Sequence, residues 1–152
     1  MDYEIKDLPA VRLAGLRYKG PFGPAIGEFW REVFTPWQKA YNLVDRPTYG
    51  IALDNSETTP PSETRYDAGV EVAADYPIAA PAIEATIPAG RYAVAQFHGT
   101  APHMPAAWGE LMGKLHGAGL VADGVCFERY AADGVPDPVT GEFNAELCVP
   151  VH

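Results

Sequence analysis

The 152 residues predict an α+β fold. The expected form is tandem βαββ repeats with pseudo-two-fold symmetry, a curved antiparallel sheet with helices packed on one side, and a central ligand groove. Three observations predict it. Leu8-Pro9-Ala10-Val11-Arg12-Leu13-Ala14 recurs 79 positions later as Ile87-Pro88-Ala89-Gly90-Arg91-Tyr92-Ala93, and the register carries on from Tyr18-Lys19-Gly20 to Phe97-His98-Gly99 and from Phe29 to Trp108. Each copy runs into an amphipathic helical stretch and then two strand-like runs. Neither half (about 1–76 and 82–152) offers a large core alone, so the two are expected to close into one domain.

The elements follow in order. Val11 to Lys19 and Arg91 to His98 mix apolar and polar residues as half-buried strands do, and Gly20-Pro21-Phe22-Gly23-Pro24 and Gly99-Thr100-Ala101-Pro102 stop them. Ile26, Phe29, Trp30, Val33, Phe34, Trp37 and Tyr41 then fall at helical spacing on one apolar face, with a kink or break expected near Phe34-Thr35 because Pro36 lacks a backbone N–H. Met104, Trp108, Leu111, Met112 and Leu115 repeat the pattern until Gly117 and Gly119, while Glu110 and Lys114 belong to the wet side. Strand pairs are expected at Tyr49 to Leu53 with Tyr66 to Ala73, and at Gly124 to Tyr130 with Ala145 to Val151. Their connections, 54–61 and 133–138, exceed tight hairpin turns and are candidates to rim a site. Asp75 to Pro81 reads as the connector between halves.

Composition narrows the function classes. The net charge of -9 argues against nucleic acid and anionic membranes, whose phosphates need lysine and arginine. No apolar run approaches the length of a membrane span, and Met1-Asp2-Tyr3-Glu4 lacks the pattern of a signal peptide. Two cysteines do not make a disulfide framework, so a cytoplasmic location is expected. Ser56 and Ser62 lie in a polar loop and not in a nucleophile elbow, and no phosphate-binding or dinucleotide motif is present. His98 and His103 flank a turn without further metal ligands in sequence; no metal and no cofactor are expected. Cys126 and Cys148 read as strand thiols inside the fold.

What remains is an acid in an apolar strand, Ala145-Glu146-Leu147-Cys148-Val149, and a surplus of aromatic rings. Strand alternation puts Leu147 and Val149 on one face and Glu146 with Cys148 on the other. If helices cover the Leu147 face, Glu146 faces the groove. A dry carboxylate there would have a raised pKa and could anchor a cation or act as general acid or base. On an open sheet face it would simply be solvated, and the sequence leaves both readings standing. The matching strand of the first half places Gly69 roughly opposite Glu146, so the acid is not duplicated; Glu71 and Glu128 are rival acids ranked below it. Tyr18, Phe97, Trp30, Trp108 and Tyr66 end paired strands or begin paired helices and are the expected groove walls, suited to planar or cationic molecules.

Together, Leu8-Pro9-Ala10, Tyr18-Lys19-Gly20-Pro21-Phe22, Tyr49-Gly50-Ile51, Tyr66-Asp67-Ala68-Gly69-Val70-Glu71-Val72, Ile87-Pro88-Ala89-Gly90-Arg91-Tyr92-Ala93 and Glu146-Leu147-Cys148-Val149-Pro150-Val151 give the chain a family look. It resembles the gyrase-inhibitor-like (GyrI-like) small-molecule-binding domains, related to the effector-binding domains of AraC- and MerR-type regulators. The resemblance implies a pocket between the halves with an acid at its base, and Glu146 is the position that looks like that glutamate. It also implies a stand-alone member, because the first strand begins too close to Met1 for a preceding DNA-binding module. The implied activity is capture of hydrophobic, aromatic or cationic small molecules. The alternatives are a hydrolase of cyclopropane-containing or other electrophilic natural products, with Glu146 as its catalytic acid, and an acidic protein that inhibits a DNA-handling enzyme.

Overall fold

In the computed structural model, which describes residues 1–54, 58–132 and 136–152, all strands join one antiparallel sheet of eight. They are β1 (Tyr3–Leu8), β2 (Val11–Lys19), β3 (Thr48–Ala52), β4 (Arg65–Glu71), β5 (Ile83–Ile87), β6 (Gly90–Gly99), β7 (Phe127–Tyr130) and β8 (Phe143–Pro150). The order across the sheet is β1-β6-β8-β7-β3-β4-β2-β5. Exchanging β1 with β5, β2 with β6, β3 with β7 and β4 with β8 turns this order into its own reverse. The repeat seen in the sequence is therefore a two-fold axis in the sheet, and it passes between β3 and β7.

Two strands were not expected. β1 and β5 precede the repeated strands, and each crosses over: β1 pairs with β6 of the second half and β5 with β2 of the first. Tyr3-Glu4-Ile5-Lys6-Asp7-Leu8 carries too many charges to read as a buried strand, and it forms one because it lies at the sheet edge, largely exposed.

The first helix runs from α1 (Pro24–Phe29) through a π turn (Trp30–Phe34) to α2 (Thr35–Ala40). The Thr35 N–H donates to the Trp30 carbonyl, five residues back. The chain thus accommodates Pro36 by widening one turn, where a kink or break was expected. The extra residue advances the helical phase: Phe34 is fully buried, whereas Val33 and Tyr41 are about half exposed. The second helix, α3 (Met104–Gly117), buries Ala107, Leu111 and Leu115 and leaves Met112 partly exposed.

Both helices cover the same face of the sheet. The first packs Phe29 and Phe34 on Ala14, Leu16, Ala68 and Val70; α3 packs Leu111 and Leu115 on Ala93, Ala95, Leu147 and Val149. The opposite face has its own small core of Leu13, Tyr49, Ile51, Ile87, Tyr92, Val94, Phe127 and Cys148, formed as the curved sheet bends over itself. Between the two helix-covered cores, at the two-fold axis, the sheet presents β3 and β7.

Candidate functional site

At this central position the strand Phe127-Glu128-Arg129-Tyr130 alternates. Glu128 lies opposite Leu147 of β8, so it shares the helix-covered face, and Tyr130 lies two residues on along that face. The Tyr66 hydroxyl, from β4, donates to Glu128 Oε1 at 2.6 Å. Trp30 Nε1, at the start of the π turn, donates in turn to the Tyr66 oxygen at 3.0 Å. Tyr130 and, from the other helix, Trp108 also bring polar groups near the Glu128 carboxylate, near enough to favour its charged form. The acid thus takes its hydrogen bond from the first half of the repeat and has polar groups of the second half beside it.

The rings around it form a collar. Trp30 meets Phe34 at 4.9 Å and Tyr130 at 5.6 Å, Tyr130 meets Phe143 at 5.9 Å, and Phe143 meets Phe97 at 5.6 Å. Trp30–Phe34 and Trp30–Tyr130 meet edge to face, the geometry favoured by ring quadrupoles. Glu128, Trp30, Trp108 and Tyr130 remain only half-buried. The acid and its rings are therefore not sealed from solvent.

Desolvation among these rings raises the Glu128 pKa above its usual range, while the Tyr66 hydroxyl and the nearby polar groups of Tyr130 and Trp108 pull the other way by favouring the carboxylate. Burial and the neighbouring acid push the Tyr66 and Tyr130 hydroxyls well above the ordinary tyrosine value, so both stay protonated as donors. Among the described residues no cation is paired with this carboxylate, and a carboxylate among aromatic rings has the chemistry to attract an organic cation.

Trp30, Trp108 and Tyr66, expected as groove walls, do converge here. Tyr18 stands apart, packed on Phe29 at 5.7 Å with its hydroxyl donating to the Pro21 carbonyl, and Phe97 lies in the α3 core behind Phe143. Glu146 does not join them. It projects from the opposite face, where Arg129 Nη1 and Gln96 Nε2 donate to its carboxylate at 3.2 and 3.1 Å, and its side chain is 27 % exposed. The register also makes Asp67, not Gly69, its two-fold mate: Arg17 faces Asp67 as Gln96 faces Glu146. Arg17 holds the buried Asp67 by two bonds of 2.8 and 3.1 Å, so both acids belong to matching structural pairs. Glu71 shares that outer face with Asp67.

The other sequence candidates have local roles. His98 lies between Asn144 and Glu142, each at 2.8 Å, and both acceptors raise its pKa. His103 pairs with Thr100. Burial pushes the Cys148 thiol up to about 12, which removes it as a nucleophile. Of the loops expected to rim the site, 55–57 and 133–135 lie outside the described residues. No helix among the described residues is long and apolar enough to cross a membrane.

Residues 1–152 match the family model described as the GyrI-like small molecule binding domain. The chain belongs to the GyrI-like family. This GyrI-like chain is 28 % identical over 154 residues to protein YosT of Bacillus subtilis (strain 168), covering all of both chains. It is 29 % identical over 154 residues to a DNA gyrase inhibitor of Yersinia enterocolitica, covering 97 % of this chain and 95 % of that one. Its fold is similar to that of SAV2435 solved bound to tetraphenylphosphonium, with a TM-score of 0.71, 20 % identity, and coverage of 100 % of this chain and 94 % of that one.

Proposed function

We propose that this GyrI-like domain captures hydrophobic, aromatic organic cations, with Glu128 as the counter-charge and Trp30, Trp108, Tyr66 and Tyr130 as the walls. The observation that carries this reading is the half-buried Glu128 carboxylate, held across the two halves by the Tyr66 hydroxyl and set among indoles and phenols. The net charge of -9 adds a favourable field for cations. The similar SAV2435 was solved with such a cation, tetraphenylphosphonium, which makes it the natural probe. Titrating tetraphenylphosphonium should quench the tryptophan fluorescence saturably. Absence of any saturable change, with calorimetry equally silent, would remove the proposal.

Capture is distinguished from turnover by incubating the protein with an excess of a strained electrophile and following it by mass spectrometry. Recovery of the electrophile unchanged supports capture. Catalytic consumption that disappears in Glu128→Gln would replace capture by hydrolysis, with Glu128 in the role expected of Glu146. A second reading, inhibition of a DNA-handling enzyme by this acidic chain, draws on its identity to the Yersinia DNA gyrase inhibitor. A supercoiling assay with purified gyrase tests it, and undiminished supercoiling at a large excess of this protein would dismiss it.

A further inference from the structure

Tyr66 and Glu128 are not on neighbouring strands. β3 runs between β4 and β7, so the Tyr66 ring has to pass over β3 to deliver its hydroxyl to the carboxylate, across two strand spacings of about 4.8 Å each. It crosses at Gly50. This residue lies opposite Ala68 on one side and Glu128 on the other, diagonal to Tyr66. A Cβ built on Gly50 would overlap the Tyr66 hydroxyl, and it would lie 2.6 Å from Glu128 Oε1 and 2.9 Å from Tyr66 Cζ. No side chain fits without displacing the bond between them.

The two-fold axis adds a second observation. Gly50 opposes Ala68 as Glu128 opposes Leu147, and Ala68 and Leu147 are equivalent in the repeat, so Gly50 is the symmetry mate of Glu128. The two mates face each other directly across the axis. A perfectly repeated chain would place two acids in contact there, or two glycines and no acid. This chain has one acid, and its mate is the residue with no side chain at all. Glycine in a strand interior costs stability, and a close approach by another group is a physical reason to place one there.

We infer that Gly50 is a positioning residue for the ligand-binding carboxylate: it is the opening through which the Tyr66 hydroxyl reaches Glu128, and it limits the site to a single negative charge. The inference rests on the cation-capture reading for its functional consequence, but not for its geometry.

The test is a double-mutant cycle of Gly50→Ala with Tyr66→Phe, read by the ¹³C resonance of the Glu128 carboxyl and by tetraphenylphosphonium titration. In Gly50→Ala the carboxyl should lose its phenol donor, so its titration midpoint moves up, and affinity should fall about tenfold, the scale of one hydrogen bond to a charged group. Tyr66→Phe should do the same, and the double variant should be no worse than either single variant, because both remove one bond. Effects that add, or a Glu128 resonance unmoved by Gly50→Ala, would overturn the inference. If Gly50→Ala does not fold, Gly50→Ala/Tyr66→Ala should recover folding, since only the Glu128 carboxylate, the far end of a flexible side chain, then stands close to the added Cβ. A double variant that still fails to fold would equally overturn it. Wild-type protein that ignores tetraphenylphosphonium while the carboxyl resonance responds as described would defeat the capture reading and leave the positioning role standing.

Discussion

Glu128→Gln separates charge from shape at the centre of the collar. The substitution keeps the size of the side chain and removes its negative charge. The phenyl groups of tetraphenylphosphonium keep its phosphorus about 6 Å from a carboxylate in contact with them. At an effective dielectric constant of about 20, the attraction lost is about 3 kcal/mol, roughly a hundredfold in affinity. Isothermal titration at pH 7 measures it, with neutral triphenylphosphine oxide as the uncharged comparison. The cation should lose about two orders of magnitude and the neutral compound much less. Glu146→Gln is the control for the rival acid: its carboxylate lies on the other face with Arg129 and Gln96, so cation affinity should hold to within about threefold. Equal losses for charged and neutral compounds, or a Glu146→Gln defect as large as that of Glu128→Gln, would refute the reasoning.

Two further outcomes follow from the electrostatics. Because the Glu128 pKa is raised in the folded protein, its protonation favours folding: that contribution is complete below the ordinary value of 4.5 and is lost as pH rises through the folded value. Urea denaturation across that interval should show stability falling with pH more steeply in the wild type than in Glu128→Gln; parallel curves would contradict it. Arg17→Met should strand the Asp67 carboxylate, only 2 % exposed, at a cost of about 2 kcal/mol, or roughly 4–8 °C in Tm. That is below the range for a fully buried pair, since the Arg17 side chain is 42 % exposed, and an unchanged Tm by calorimetry would show that Asp67 finds other compensation.

The two-fold character was legible because Leu8 to Ala14 and Ile87 to Ala93 keep enough identity to be superposed by eye. β1 and β5 escaped that reading since their pairing is non-local, and a charged edge strand has no buried face to give it a pattern. The acid among the rings differs from the one the sequence singles out for a definite reason. Alternation correctly put Glu146 on the face away from Leu147, but the groove was expected on the face away from the helices, whereas the aromatic collar lies on the face they cover. With that geometry the same alternation selects Glu128, whose neighbour Tyr130 supplies a ring on the same side. The Gly50 of Tyr49-Gly50-Ile51 was the available signal: a glycine amid strand residues marks a spot where something large comes close. Trp30 and Trp108 were legible because each lies early on the apolar face of its helix, Trp108 in register with Phe29, the neighbour of Trp30.

The crossing of β1 and β5 bears on how a guest could enter. Each half is clasped by a ribbon from the other, so prising the halves apart would unzip two ladders at opposite margins of the sheet as well as the seam at its middle. A clam-shell hinge is thereby ruled out as an inexpensive motion. On the capture reading, admission falls to the helices that cover the sheet, and the widened turn at Trp30 is where one of them already departs from regular winding.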